Sequence, residues 1–117
     1  MKRLKFYEEY VNSIKEGIKT STIRTHFNGK VDDIMSVHIS AQPLNLKPFG
    51  FIKIKEIQYI RFDDIDKAIA RTEGYLHEDI LKESLLEIYD DLEDSTLLYY
   101  IVFEFKEDAN DFGMVKN

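Results

Sequence analysis

The chain has 117 residues, 44% of them hydrophobic and 32% charged, which is the composition of one globular domain and excludes a disordered polypeptide. Its net charge of −6 is unevenly divided: residues 1–60 sum to +4 and residues 61–117 to −10, which speaks against sequence-blind binding to duplex DNA and leaves room for a local basic patch. There is no cysteine, no apolar run near the roughly 20 residues of a membrane span and no apolar core in the N-terminal segment, so disulfides, thiol catalysis, thiolate metal sites, a membrane helix and a signal peptide are not expected; a cytoplasmic setting is.

In chain order, Phe6, Tyr10, Val11 and Ile14 fall at helical spacing, which predicts a helix over residues 5–16, stopped by Gly17. Residues 20–25, rich in β-branched side chains, read as a loop running into a short strand, and Asn28-Gly29 as a turn. Residues 34–39 alternate as a half-buried strand, and residues 42–49, with both prolines, form a loop. Residues 51–62 form a long strand whose alternation slips at Glu56-Ile57, the mark of a β-bulge. A helix over residues 63–72, capped by Asp63 or Asp64, and a second amphipathic helix over residues 77–89 follow. Residues 97–105 form the last strand, apolar enough to be buried on both faces, before a polar tail that frays. Helix, strands, helix pair and strand make an α+β domain over residues 1–106, with residues 107–117 as the tail.

The densest polar segment is Gly17-Ile18-Lys19-Thr20-Ser21-Thr22-Ile23-Arg24. A lysine beside hydroxyls can bind an anion or, once desolvated, take a proton from a threonine or serine and create a nucleophile. The same residues also suit an ordinary threonine-rich strand with solvated basic ends. Glu73, in the break between two helices and followed by Gly74, is either a surface cap or a carboxylate turned into a pocket to move protons. His26, His38 and His77 are far apart without acidic partners at ligand spacing, so no metal is expected. No glycine-rich phosphate loop and no serine-hydrolase elbow occur. Residues 90–94 are acidic but lack the alternation and central glycine of a calcium loop.

Residues 16–24 resemble the G-x-K-T-x-T-I-R signature of ASCH domains, small curled β-barrels related to the PUA RNA-binding fold. The resemblance continues through residues 51–57, similar to the family's central strand. It runs on through Ala70-Arg71-Thr72-Glu73-Gly74-Tyr75, similar to its A-x-x-E-G-[YF] segment, and ends at residues 100–105, similar to its closing strand. One departure is Asp32-Asp33, where the family usually has Gly-Asp.

The resemblance implies a barrel flanked by an N-terminal helix and a central helix pair. Some small bacterial members are N4-acetylcytidine amidohydrolases. Carried over by position, their catalytic set is Lys19, Thr22 and Glu73, with Arg24, Thr20, Ser21 and Tyr75 as ligand-binding neighbours and no metal or cofactor required. The implied partner is a small nucleoside or a single-stranded RNA. Two other activities come with the family: a non-catalytic RNA- or nucleotide-binding module, and, ranked last, RNA cleavage.

Overall fold

A computed structural model of the chain describes residues 1–43 and 46–113. Five strands form one mixed sheet: β1 (Arg3–Phe6), β2 (Ser21–Arg24), β3 (Ile34–Ile39), β4 (Gly50–Arg61) and β5 (Leu97–Lys106), in the order β1-β3-β4-β5-β2. The β1–β3 pair is parallel and the other pairs are antiparallel. The helices are α1 (Val11–Lys15), α2 (Lys67–Thr72) and α3 (Glu78–Ile88), with short 3-10 turns at Glu8–Tyr10, Phe62–Asp64 and Ala109–Phe112.

The slip in β4 is a true irregularity: the register with β5 shifts between Ile54 and Glu56. It changes which side chains face which way. Ile52 and Ile54 join Met35, Val37, Ile101 and Phe103 in one core under α1, whereas Ile60 beyond the bulge joins Leu98, Tyr100, Leu81 and Leu85 in a second core under α2 and α3. A bulge of this kind bends the strand and curls the sheet.

The curl does not close, which corrects the expectation of a barrel: no ladder joins the edge strands β1 and β2. They are bridged by a side chain instead. Arg24 on β2 lies over the Phe6 ring of β1, 4.9 Å from its centroid, and its Nη2 donates to the Lys5 carbonyl at 2.7 Å. The seam between the two edges is therefore filled by side chains and not by a backbone ladder.

Three further local expectations are corrected. The helix expected over residues 5–16 is a strand, then a 3-10 turn, then five residues of α-helix, because Lys5 and Phe6 are paired to His38 and Ile39 of β3 and a long-range ladder outweighs local spacing. The cap of α2 is Asp66, whose carboxylate accepts from the Ile69 N–H at 2.9 Å; Asp63 pairs with Arg61 and Asp64 accepts from the Arg61 N–H. The start of β5 is not buried on both faces, since Leu97 is 64% exposed beyond the reach of either core. The loop expected over residues 42–49 holds at the described positions; Leu44 and Asn45 lie outside them, as do residues 114–117 of the tail.

Asp32 has φ +74°, a left-handed conformation that favours glycine. The turn is tied to β4 by Asp32 N–H to Ile54 carbonyl at 2.8 Å and Ile54 N–H to Asp33 carbonyl at 2.9 Å. Its cost is carried in the backbone of an aspartate.

Candidate active site

Two chain reversals bring the polar segment and Glu73 together. Gly17, at φ +76°, ends α1, and the N–H groups of Ile18 and Lys19 both donate to the Ser13 carbonyl, which turns Lys19 inward. Glu73 closes α2, and Gly74 at φ +91° lets the chain leave that helix close against Lys19. The Thr20 N–H donates to the Thr72 carbonyl at 2.7 Å and fastens the two reversals to each other.

Lys19 and Glu73 meet inside the protein, each 4% exposed, with Nζ 3.3 Å from Oε1. Burial pushes the Lys19 amine below its ordinary 10.5; Glu73 opposes this, and Arg24 adds a smaller downward push. Lys19 Nζ also lies 4.9 Å from the centroid of the Tyr10 ring, whose π face favours a cation.

Thr22 lies on the edge strand, two residues before Arg24 and on the same face. The Arg24 Nε donates to Thr22 Oγ1 at 2.9 Å. That bond occupies a lone pair of the hydroxyl and leaves its proton free for a base. Lys19 and Thr22 line the same cleft, though no hydrogen bond joins them.

The cleft occupies the open seam and has a volume of about 160 Å³. Lys5, Phe6 and Tyr7 form one wall, Thr22 to Arg24 another, and Leu81, Ser84, Leu85, Ile88 and Tyr89 the side facing α3. Tyr10, Tyr75 and Ser84 form a triangle of hydroxyls on its wall, with oxygen separations of 2.9, 3.1 and 3.3 Å. Burial pushes the Tyr10 phenol up from its ordinary 10.0, with the Ser84 hydrogen bond acting against it, so this group stays protonated.

Of the residues singled out in the sequence, Lys19, Thr22, Arg24, Glu73 and Tyr75 line this cleft. Ser21 does not: it is fully buried behind Glu73, hydrogen-bonded to Oε2 of that carboxyl and to Thr72. Thr20 lines a separate depression with Ile14, Lys15 and Phe103. Tyr10 and Ser84 were not singled out. Ser84 carried a readable signal, because it falls three residues after Leu81 and four before Ile88 on the apolar stripe of α3, where a hydroxyl is out of place. Tyr10 carried none, since an aromatic at helical spacing reads as core.

His38 is buried on β3 with Nε2 3.0 Å from Ser36 Oγ, and burial, with Arg3 and Lys5 nearby, pushes it below its ordinary 6.5. Among the described residues no three His, Asp or Glu side chains are grouped as a metal site would require, and no helix is long and apolar enough to cross a membrane.

A family model described as the ASCH domain matches residues 2–107. Solved structures share the fold. An ASCH domain from Lactobacillus crispatus JV V101 is similar with a TM-score of 0.72 at 15% identity, over 89% of this chain and 79% of that one. A protein from Enterococcus faecalis V583 gives 0.71 at 15% identity, over 92% and 77%. ASCH from Zymomonas mobilis gives 0.62 at 14% identity, over 91% and 67%. At such identities the likeness is one of fold. No curated protein matches the sequence.

Proposed function

The chain belongs to the ASCH domain family, and we propose that its seam cleft hydrolyses the acyl amide on the exocyclic nitrogen of an N4-acetylcytidine-like nucleoside. The observation that carries this reading is the buried Lys19–Glu73 pair opening on the same cleft as a threonine whose hydroxyl proton is left free by Arg24. A volume of about 160 Å³ is small beside the ~300–1,000 Å³ of larger ligand sites. It suits one base-sized group better than a strand of RNA.

The steps follow from the proton count. Lys19 and Glu73 share one proton across 3.3 Å. With that proton on Glu73, Lys19 is a free amine, the form that burial favours. Lys19 takes the Thr22 proton as Oγ1 attacks the amide carbonyl, and Arg24 Nε holds Oγ1 in place as it loses that proton. When the C–N bond breaks, Glu73 gives its proton to the departing exocyclic amine, leaving an acyl ester on Thr22, an ammonium on Lys19 and a carboxylate on Glu73. The Tyr10 ring faces that ammonium. Water then adds to the ester and yields its proton to Glu73, while Lys19 returns one to Thr22 Oγ1. The carboxylic acid departs and the pair is restored.

The test is incubation of the protein with N4-acetylcytidine and measurement of cytidine and acetate. Turnover is expected in wild type and its loss in Thr22→Ala and in Lys19→Arg, because a guanidinium does not act as a base. No turnover in wild type, or full turnover in either variant, refutes the reading. Nucleoside binding without acetate release would make the cleft a binding module.

A further inference from the structure

Behind Glu73 lies a chain of hydroxyls that the reaction steps do not use. Ser21 Oγ is hydrogen-bonded to Glu73 Oε2 and lies 2.8 Å from Thr72 Oγ1. Thr72 Oγ1 donates to the Ile69 carbonyl at 2.8 Å and lies 2.6 Å from the Tyr100 hydroxyl. Each hydroxyl has one hydrogen and two lone pairs. Ser21, Thr72 and Tyr100 therefore bring three hydrogens to four contacts.

For all four contacts to be hydrogen bonds at once, only one assignment serves, and it runs from the far end. A carbonyl only accepts, so the Thr72 hydrogen goes to Ile69, and Tyr100 donates to Thr72. The Ser21–Thr72 contact then takes the Ser21 hydrogen. The Ser21–Glu73 contact is left needing a hydrogen from the carboxyl. With a proton on Oε2 all four contacts are hydrogen bonds, and a neutral Lys19 donates one N–H to Oε1 while its lone pair stays available to the cleft. With the proton on Lys19, Ser21 must turn its hydrogen to the carboxylate, and Thr72 can then serve Ser21 or the Ile69 carbonyl but not both, so one of the two contacts, each 2.8 Å, is left with lone pairs facing each other. Burial adds to the preference, since two charges removed from water cost more than a neutral pair.

We propose that this hydroxyl chain biases the proton shared by Lys19 and Glu73 onto Glu73, making Thr72 a positioning residue that readies the base and the acid together. Its consequence for catalysis rests on the amide-hydrolysing reading of the cleft; its observation does not. Glu73 is the one carboxylate among the described residues lining the cleft. The other titratable groups around the pair are Arg24 and Lys5 from the two edge strands and the phenols of Tyr7, Tyr10, Tyr75 and Tyr89.

The test reads the proton directly. An infrared difference spectrum of wild type against Glu73→Gln, at neutral pH, is expected to contain the C=O band of a protonated carboxyl. Thr72→Val leaves the Ser21 hydrogen only the carboxylate to bond, so the proton distribution should shift toward Lys19 by about tenfold and the band should weaken. Thr72→Ser should keep the band, and so should Tyr100→Phe, which removes a neighbour of Thr72 without changing the count at Ser21. A second measurement avoids core substitutions: the nitrogen-15 shift of Lys19 Nζ in wild type should be that of an amine. An ammonium shift at neutral pH, no carboxyl band in wild type, or an equal band in Thr72→Val overturns the proposal. A protein with the band that fails to split the amide loses the proposed function and keeps this inference; a hydrolase without the band does the reverse.

Discussion

Replacing Glu73 by leucine, Lys19 by methionine, and then both together isolates what the buried pair does for the fold. Each partner is 4% exposed and Lys19 Nζ lies 3.3 Å from Glu73 Oε1, so water reaches neither. Removing Glu73 leaves a buried amine without its partner, and an unpartnered buried polar group costs about 1–3 kcal/mol. Lys19→Met should fall at the lower end of that range, because Ser21 still serves one oxygen of Glu73. For a chain of this size that is a fall in Tm on the order of 4 °C per kcal/mol, or about 4–12 °C. The double variant removes both desolvation costs and should return to within about 1 kcal/mol of wild type or exceed it, while losing all activity. Urea denaturation followed by circular dichroism gives the four free energies.

The same series carries a pH signature. Lys19 is lowered in the folded protein, chiefly by burial, so between its folded value and 10.5 the unfolded chain binds more protons than the folded one. Stability should therefore rise with pH through that window and be lost as pH falls through the folded value. Glu73→Leu removes the opposing influence of the carboxylate and should extend the window to lower pH. A cost below about 1 kcal/mol for Glu73→Leu, or a double variant less stable than either single one, would refute the reasoning.

Arg24→Met should lower the rate of acyl release by about ten- to a hundredfold, the loss of one charge-assisted hydrogen bond of about 1.5–3 kcal/mol to the attacking oxygen. Arg24→Lys should recover less than about tenfold of it, since an ammonium does not serve Thr22 and the Lys5 carbonyl together. Steady-state kinetics on both variants checks this. Asp32→Gly should raise stability by about 1 kcal/mol by relieving a φ of +74°, measured as a shift of the urea midpoint at constant slope. Asp66→Ala should cost about 1 kcal/mol through the lost cap of α2, and Asp66→Asn should restore most of it in the same assay.

Local chemistry in the sequence determined a good deal about this protein. The broken alternation at Glu56-Ile57 marked a bulge because side-chain facing in a strand has a strict period of two, and the register indeed shifts between Ile54 and Glu56. The amphipathic stripe of α3 was readable for the same kind of reason, as were the strands at 34–39 and 97–105 and the polar segment around Lys19. The tertiary structure decided what no local pattern carries. Lys5 and Phe6 became part of a strand because β3 offered a ladder, against their helical spacing. The sheet stayed open because β1 and β2 meet through Arg24 rather than through backbone hydrogen bonds, and that opening is the cleft. Lys19 and Glu73, 54 residues apart, became a pair only when the Thr20–Thr72 backbone bond brought two chain reversals together and buried both. Burial and proton sharing depend on what the rest of the fold places around a side chain, so a lysine and a glutamate written in a sequence do not disclose them.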